Sequence, residues 1–170
     1  MIHESVKIGE GTIVEPTAVI EHSVVIGKNC YIGHFVQIRP GVIIGNDCKV
    51  KVHCYIAENG HFGNNVNIGE QSATTKYMIV EDNVFLGPGL MCTNEKEMSH
   101  GRGKTPLFAP SYIETGVRIA ASVSIGPDVR IMRNAMVKMK ALVIHDVLPN
   151  EIVQGIPAKC VGYVPREEQI

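Results

Sequence analysis

Three polar residues, Glu58, Lys76 and Asn94, stand eighteen positions apart, and each could bind a small polar substrate. Glu58 and Lys76 carry opposite charges and are expected to pair, at little energy if exposed. Asn94 offers a donor and an acceptor without charge, and it lies at the start of the polar stretch TNEKEMSHGRGKTPLFAPSY, residues 93–112. Of the seven histidines, His53 and His100 are the candidates for a general base, because imidazole titrates near neutral pH. His22, His34 and His61 read as structural. Lys159 follows Gly155-Ile156-Pro157-Ala158, and a lysine there is a point charge suited to phosphate. The five cysteines follow no CxxC spacing and read as reduced thiols.

Side chains eighteen apart meet only on a scaffold that returns to the same place every eighteen residues. The chain carries such a period. Stepping by six from Ile8 gives Val14, Ile20, Ile26, Ile32, Ile38, Ile44, Val50, Ile56, Phe62, Ile68, Thr74, Val80, Leu86 and Cys92. The register breaks for 21 residues and resumes at Ile113, Ile119, Ile125, Ile131, Val137 and Val143. Four residues past each large position sits a smaller one, such as Ala18, Val24, Cys30, Val36, Cys48 or Ala135. Glycine often follows the large residue, as at Gly9, Gly27, Gly45, Gly63 and Gly87, and each hexad is read as two inward side chains and one tight corner. Three hexads make a triangular coil, so 21 hexads predict seven coils, a prism roughly 33 Å long at the ladder spacing of paired strands. Asn29, Asp47, Asn65 and Asn83 are expected to ladder along one corner, where Asn and Asp tolerate positive φ. Cys30 and Cys48 stack as core residues.

The composition agrees. Val and Ile total 41 against 5 Leu in 170 residues, an excess that favours extended structure. Lys and Arg number 16 and Asp and Glu 17, so no global charge draws the chain to nucleic acid or an anionic membrane. No apolar run approaches the roughly 20 residues of a spanning helix. MIHESVKIGEG has no signal-peptide pattern, so a cytoplasmic location is expected. The predicted fold is an all-β parallel β-helix over residues 1–147, with an extruded loop at 93–112. A short closing segment, 148–170, follows, with helix as one option for it. About fifteen loop residues are surplus to the register, and the apolar patch Leu107-Phe108-Ala109-Pro110 needs a surface. Another copy of the chain is the expected surface, in a homotrimer.

The hexads resemble the left-handed β-helix acyltransferases, and three stretches narrow the resemblance to nucleotide-linked 3-amino-sugar N-acetyltransferases. They are Val84–Asn94, Gly116–Gly126, and Asp146-Val147-Leu148-Pro149 with Val153-Gln154-Gly155-Ile156-Pro157-Ala158-Lys159. The resemblance implies left-handed coils and acetyl-CoA as acyl donor. It places Asn94 against the sugar amine and Ala120 and Ser122 along the pantetheine arm. Gly155, Pro157, Ala158 and Lys159 would close over the coenzyme. Lys138 and Lys140 stand where the family usually has Gly, and could meet coenzyme A phosphates. The related 4-amino-sugar enzymes carry an extra N-terminal domain; hexads that begin at residue 8 favour the 3-amino class. Three alternatives stay open. A serine or sugar O-acetyltransferase would use His100 to activate a hydroxyl. A γ-class carbonic anhydrase would hold zinc through residues such as His34, His53 and His61. The third is a non-catalytic trimeric scaffold.

Overall fold

The computed structural model describes residues 1–170 and contains twenty two-residue strands, β1 (Lys7–Ile8) to β20 (Leu142–Val143). They fall on three faces in rotation, with the bridge residue Ala73 standing in for a third-face strand once. The first face holds β1, β4 (Val25–Ile26), β7 (Ile43–Ile44), β10 (His61–Phe62), β12 (Ile79–Val80), β15 (Tyr112–Ile113) and β18 (Arg130–Ile131), and the second holds β2 (Ile13–Val14), β5 (Tyr31–Ile32), β8 (Lys49–Val50), β11 (Asn67–Ile68), β13 (Phe85–Leu86), β16 (Arg118–Ile119) and β19 (Met136–Val137). The third holds β3 (Val19–Ile20), β6 (Gln37–Ile38) and β9 (Tyr55–Ile56), then β14 (Met91–Cys92), β17 (Ser124–Ile125) and β20, joined through bridges from Ala73 to Tyr55 and to Met91. Pairing is parallel with partners eighteen apart, as in Lys7 with Val25 and Ile8 with Ile26. Across the interruption Ile79 pairs with Tyr112, 33 residues on, which is eighteen plus the expected fifteen.

Inside the prism the large position of each hexad is buried from Ile20 to Val143, together with the smaller residue between corners. Thirty-six of these side chains form one continuous core. Cys30, Cys48, Cys54 and Cys92 are part of it, and Cys160 is exposed. Burial pushes the Cys48 and Cys92 thiols up to about 12, so they stay protonated.

The corners work differently from the expectation drawn from glycine. Positive φ falls three residues after the large position, at Ser23, Asn29, Phe35, Asp47, His53, Asn59, Asn65 and their successors. The Asn29, Asp47, Asn65 and Asn83 ladder is there as expected, with Asn29 Nδ2 donating to Asp47 and Asn65 Nδ2 to Asn83. Gly27, Gly45 and Gly63 serve close stacking instead: a Cβ on Gly45 would lie 2.5 Å from the Gly63 carbonyl oxygen.

Seven coils are complete and an eighth begins. After Val143 the chain takes a short step to Val147, which bridges to Ile131, and β21 (Glu151–Gln154) pairs with β19. The segment 148–170 departs from the helical option. It continues as β22 (Lys159–Tyr163), antiparallel to β21, and ends in a three-residue 3-10 turn, Arg166–Glu168. The open ladder of β19 offers backbone partners that an isolated helix would forgo. No helix is long and apolar enough to cross a membrane.

The chain's return after the loop is fastened by Glu81. Its carboxylate accepts from Tyr112 Oη (2.5 Å), Thr115 N (2.9 Å) and Thr115 Oγ1 (2.7 Å). The Tyr112 bond first, then the Thr115 bonds, hold this carboxyl below the ordinary carboxylate range. The stabilisation is therefore complete above that range and is lost as pH falls through the folded value. Glu81→Gln is expected to cost about 1–2 kcal/mol at neutral pH, the scale of hydrogen bonds to a charged group. The deficit should shrink below about pH 4, where the carboxyl of the unfolded chain takes up its proton, and vanish once the folded carboxyl is protonated too. Urea titrations of both proteins at the two pH values check this.

Candidate active site

Two edges of the prism, on either side of the third face, carry the residues singled out by sequence. The edge leading out of the third face is a ladder of alternating charge. Arg39 pairs with Glu21 and reaches Glu58 at 3.9 Å, and Lys76 Nζ meets Glu58 at 3.4 Å. The Glu58 carboxyl is held below its ordinary range by its own backbone amide, aided by Lys76 and Arg39. Arg39 is a partner that the eighteen-residue spacing did not reveal, because it sits one step off that register.

At the top of this ladder the extruded loop departs from β14 (Met91–Cys92). It is tied down as a two-stranded excursion: Ala109 N donates to the Asn94 carbonyl at 2.7 Å and Lys96 N to the Leu107 carbonyl at 3.2 Å. Glu95 accepts from Ser99 N and Oγ, and Lys96 pairs with Asp128 on the next coil. Under the loop lies a cavity of about 650 Å³ lined by Asn94 with Thr93, Lys96, Met98 and Pro127. Asn94 is half-buried there, and its side-chain amide has no hydrogen-bond partner within the chain. Leu107 and Phe108 remain exposed, at 60% and 49%. Lys96 and Asp128 were not legible as a pair, since the loop suspends the register that would align them.

The other edge, leading into the third face, gathers the coenzyme candidates. Ala120 and Ser122 occupy one corner and Lys138 and Lys140 the corner one coil above. The Gly155–Lys159 turn closes over them: Leu142 N donates to Gly155 O (3.0 Å) and Ala158 N to Leu142 O (2.8 Å). Lys138, Lys140 and Lys159 are exposed and form no ion pair, so three ammonium groups are free for an anionic ligand. Small residues leave the wall below them open; a Cβ on Gly89 would lie 3.5 Å from Ser122 Oγ. These features fit a long ligand with phosphates at one end and a thin arm along the edge.

The histidines do not converge. His53 is exposed on the same edge as Ser122 and Lys140, two coils below the level of Asn94 and a full face away from it. His100 is exposed on the loop and does not line the cavity beside Asn94. His34 lies next to Phe35 at the corner one coil below His53, whereas His61 lies in β10 on the first face.

Comparison with known proteins agrees with this architecture. Residues 23–58 match the family model described as bacterial transferase hexapeptide (six repeats). No curated protein matches the chain in sequence. Among solved structures, a variant of the N-acyltransferase AntD from Bacillus cereus, in complex with dTDP and coenzyme A, superposes with a TM-score of 0.56. The identity is 18%, over 95% of this chain and 85% of that one. The UDP-N-acetylglucosamine acyltransferase of Francisella novicida gives 0.55 at 16% identity, over 96% of this chain and 70% of that one. The serine acetyltransferase of Brucella abortus, in complex with coenzyme A, gives 0.50 at 22% identity, over 62% and 40%. The chain is a hexapeptide-repeat β-helix. In fold it resembles the acyltransferases built on that repeat.

Proposed function

We propose that the protein is an acetyl-CoA-dependent N-acetyltransferase acting on the amine of a nucleotide-linked amino sugar, of the 3-amino class. The observation that carries this reading is the convergence of Ala120, Ser122, Lys138, Lys140 and the Gly155–Lys159 turn on one edge. It is supported by the similarity in fold to AntD, a N-acyltransferase solved with dTDP and coenzyme A.

The chemistry asks for positioning more than for acid or base. The neutral amine attacks the thioester carbonyl, a C–N bond forms, and the C–S bond breaks. The thiolate of coenzyme A leaves, and the proton lost from nitrogen balances it. Holding amine and thioester in line removes much of the barrier. A backbone N–H on the coenzyme edge stabilises the oxyanion. Asn94, uncharged, accepts a hydrogen bond from the amine without favouring its protonated form. Glu58 and Lys76 contribute polar contacts to the acceptor from the ladder below. Lys159, with Lys138 and Lys140, takes the phosphates of the coenzyme.

Asn94 and the coenzyme edge lie on opposite sides of the third face, so a single chain does not bring them together. A homotrimer would do so by placing the loop of one copy, with exposed Leu107 and Phe108, against the coenzyme edge of the next. No nucleic acid or membrane enters this reading, and the reaction belongs in the cytoplasm, where acetyl-CoA and nucleotide sugars are available.

Lys159→Ala tests the coenzyme assignment. The acetyl-CoA KM is expected to rise about tenfold, the scale of one charge-assisted phosphate contact. The amino-sugar KM should stay unchanged. A steady-state analysis that showed the reverse pattern would remove Lys159 from the coenzyme site.

A further inference from the structure

The coenzyme edge continues downward past the residues assigned above. Its corner positions, one per coil, are Phe35, His53, Gln71, Gly89, Ser122 and Lys140, all with φ between 57° and 69°. Most corners of the prism fill this left-handed position with Asn, Asp, Ser or Gly. Phe35 and His53 are bulky rings in a conformation that L side chains seldom adopt, and such outliers point to a use for the side chain. Both side chains keep solvent exposure: Phe35 is 53% exposed and His53 is exposed. The two rings lie parallel, with centroids 4.9 Å apart and planes 7° apart.

The ring pair is a built platform. Phe35 N donates to Thr17 Oγ1 at 3.1 Å, and His34 beside it is held by Thr17 Oγ1 at 2.9 Å and Glu15 at 3.3 Å. Above His53 the next corner is Gln71, an exposed amide, and above that Gly89 has no side chain to fill the edge. Two cations, Lys49 in β8 and Lys51 at the start of the corner, lead into His53, and neither forms an ion pair. A flat ring surface beside free ammonium groups is the chemistry that recognises a nucleobase joined to phosphates.

We propose that Phe35 and His53, with Lys49 and Lys51, bind the nucleoside diphosphate of the acceptor. The nucleobase stacks on the exposed rings, the Gln71 amide meets its edge, and the lysines take the diphosphate. This rests on the acceptor being nucleotide-linked, and it makes His53 a binding residue and not a base. The adenine of coenzyme A is the other source of a nucleobase. Lys140 stands four coils above His53, roughly 19 Å at the spacing of stacked strands. Adenine and phosphates share one end of the coenzyme, so phosphates on the upper lysines keep its adenine at the upper end.

The test is calorimetric titration of the full chain with dTDP, UDP and GDP, and separately with coenzyme A. The double variant Phe35→Asn/His53→Asn removes both rings with a residue suited to the corner, so the melting temperature should hold. Its affinity for the preferred diphosphate is expected to fall at least tenfold, with coenzyme A affinity unchanged. Lys51→Ala should weaken the diphosphate and leave the free nucleoside unaffected. If wild-type protein binds a diphosphate and the double variant binds it equally, the platform is wrong and the acceptor reading stands. If wild type binds no diphosphate, both fail. A loss confined to coenzyme A assigns the rings to adenine, and a drop in mass by light scattering assigns them to packing between copies; either overturns the proposal.

Discussion

Asn94→Ala is expected to lower kcat/KM for the amino sugar about 100-fold while leaving the affinity for coenzyme A nearly unchanged. The magnitude is that of losing one contact that aligns a nucleophile, on the order of 10². The amide of Asn94 faces the cavity beneath the loop and has no partner in the chain, so a ligand group is free to use it. Its backbone carbonyl, by contrast, is engaged by Ala109 N, and alanine preserves that bond. The loop should therefore stay in place. If the side chain only fills the corner, the variant will melt earlier and keep its turnover. Steady-state kinetics with a thermal melt on the same preparation separates the two roles.

Gly45→Ala is expected to destabilise the protein strongly. The new Cβ would stand 2.5 Å from the Gly63 carbonyl oxygen, 2.6 Å from its carbon and 2.9 Å from Asn64 N, all backbone atoms of the next coil. Backbone held by ladders on two faces cannot swing aside as a side chain can. The loss should be about 3 kcal/mol or more, the upper part of the overpacking range, or roughly a 10 °C fall in melting temperature for a domain of this size. Gly126→Ala is the matched control. It occupies the same hexad position, but its Cβ would meet the Val143 carbonyl oxygen at 3.4 Å, an ordinary contact. Equal stability of the two variants would mean that stacking distance does not govern these glycines.

The coil period, the three faces and the fifteen surplus loop residues were legible because one arithmetic rule repeats along the chain. Inward residues recur every six positions, and neighbours every eighteen. The same rule brought Glu58 to Lys76 and stacked Asn29 on Asp47. It failed where a residue acts outside the period. Arg39 reaches Glu58 from one step off register, and Lys96 finds Asp128 from inside the loop. The glycines were legible as a pattern but misread in cause: proximity between coils, not freedom in φ, explains Gly27, Gly45 and Gly63. The tail gave no periodic signal because β22 runs antiparallel, against the rule that the rest obeys. For the site, residue types suggested His53 and His100, but types carry no distances, and the geometry leaves both away from Asn94.

The central claim is acetyl transfer from acetyl-CoA to an amine on a nucleotide-linked sugar. The direct measurement is thiol release from acetyl-CoA in the presence of dTDP- and UDP-linked 3-amino sugars, with mass spectrometry of the product. Thiol release that requires the amino sugar, together with a product bearing one acetyl group on nitrogen, is the predicted result. Thiol release with serine or a sugar hydroxyl and none with any amino sugar, or no release with any acceptor, would contradict it.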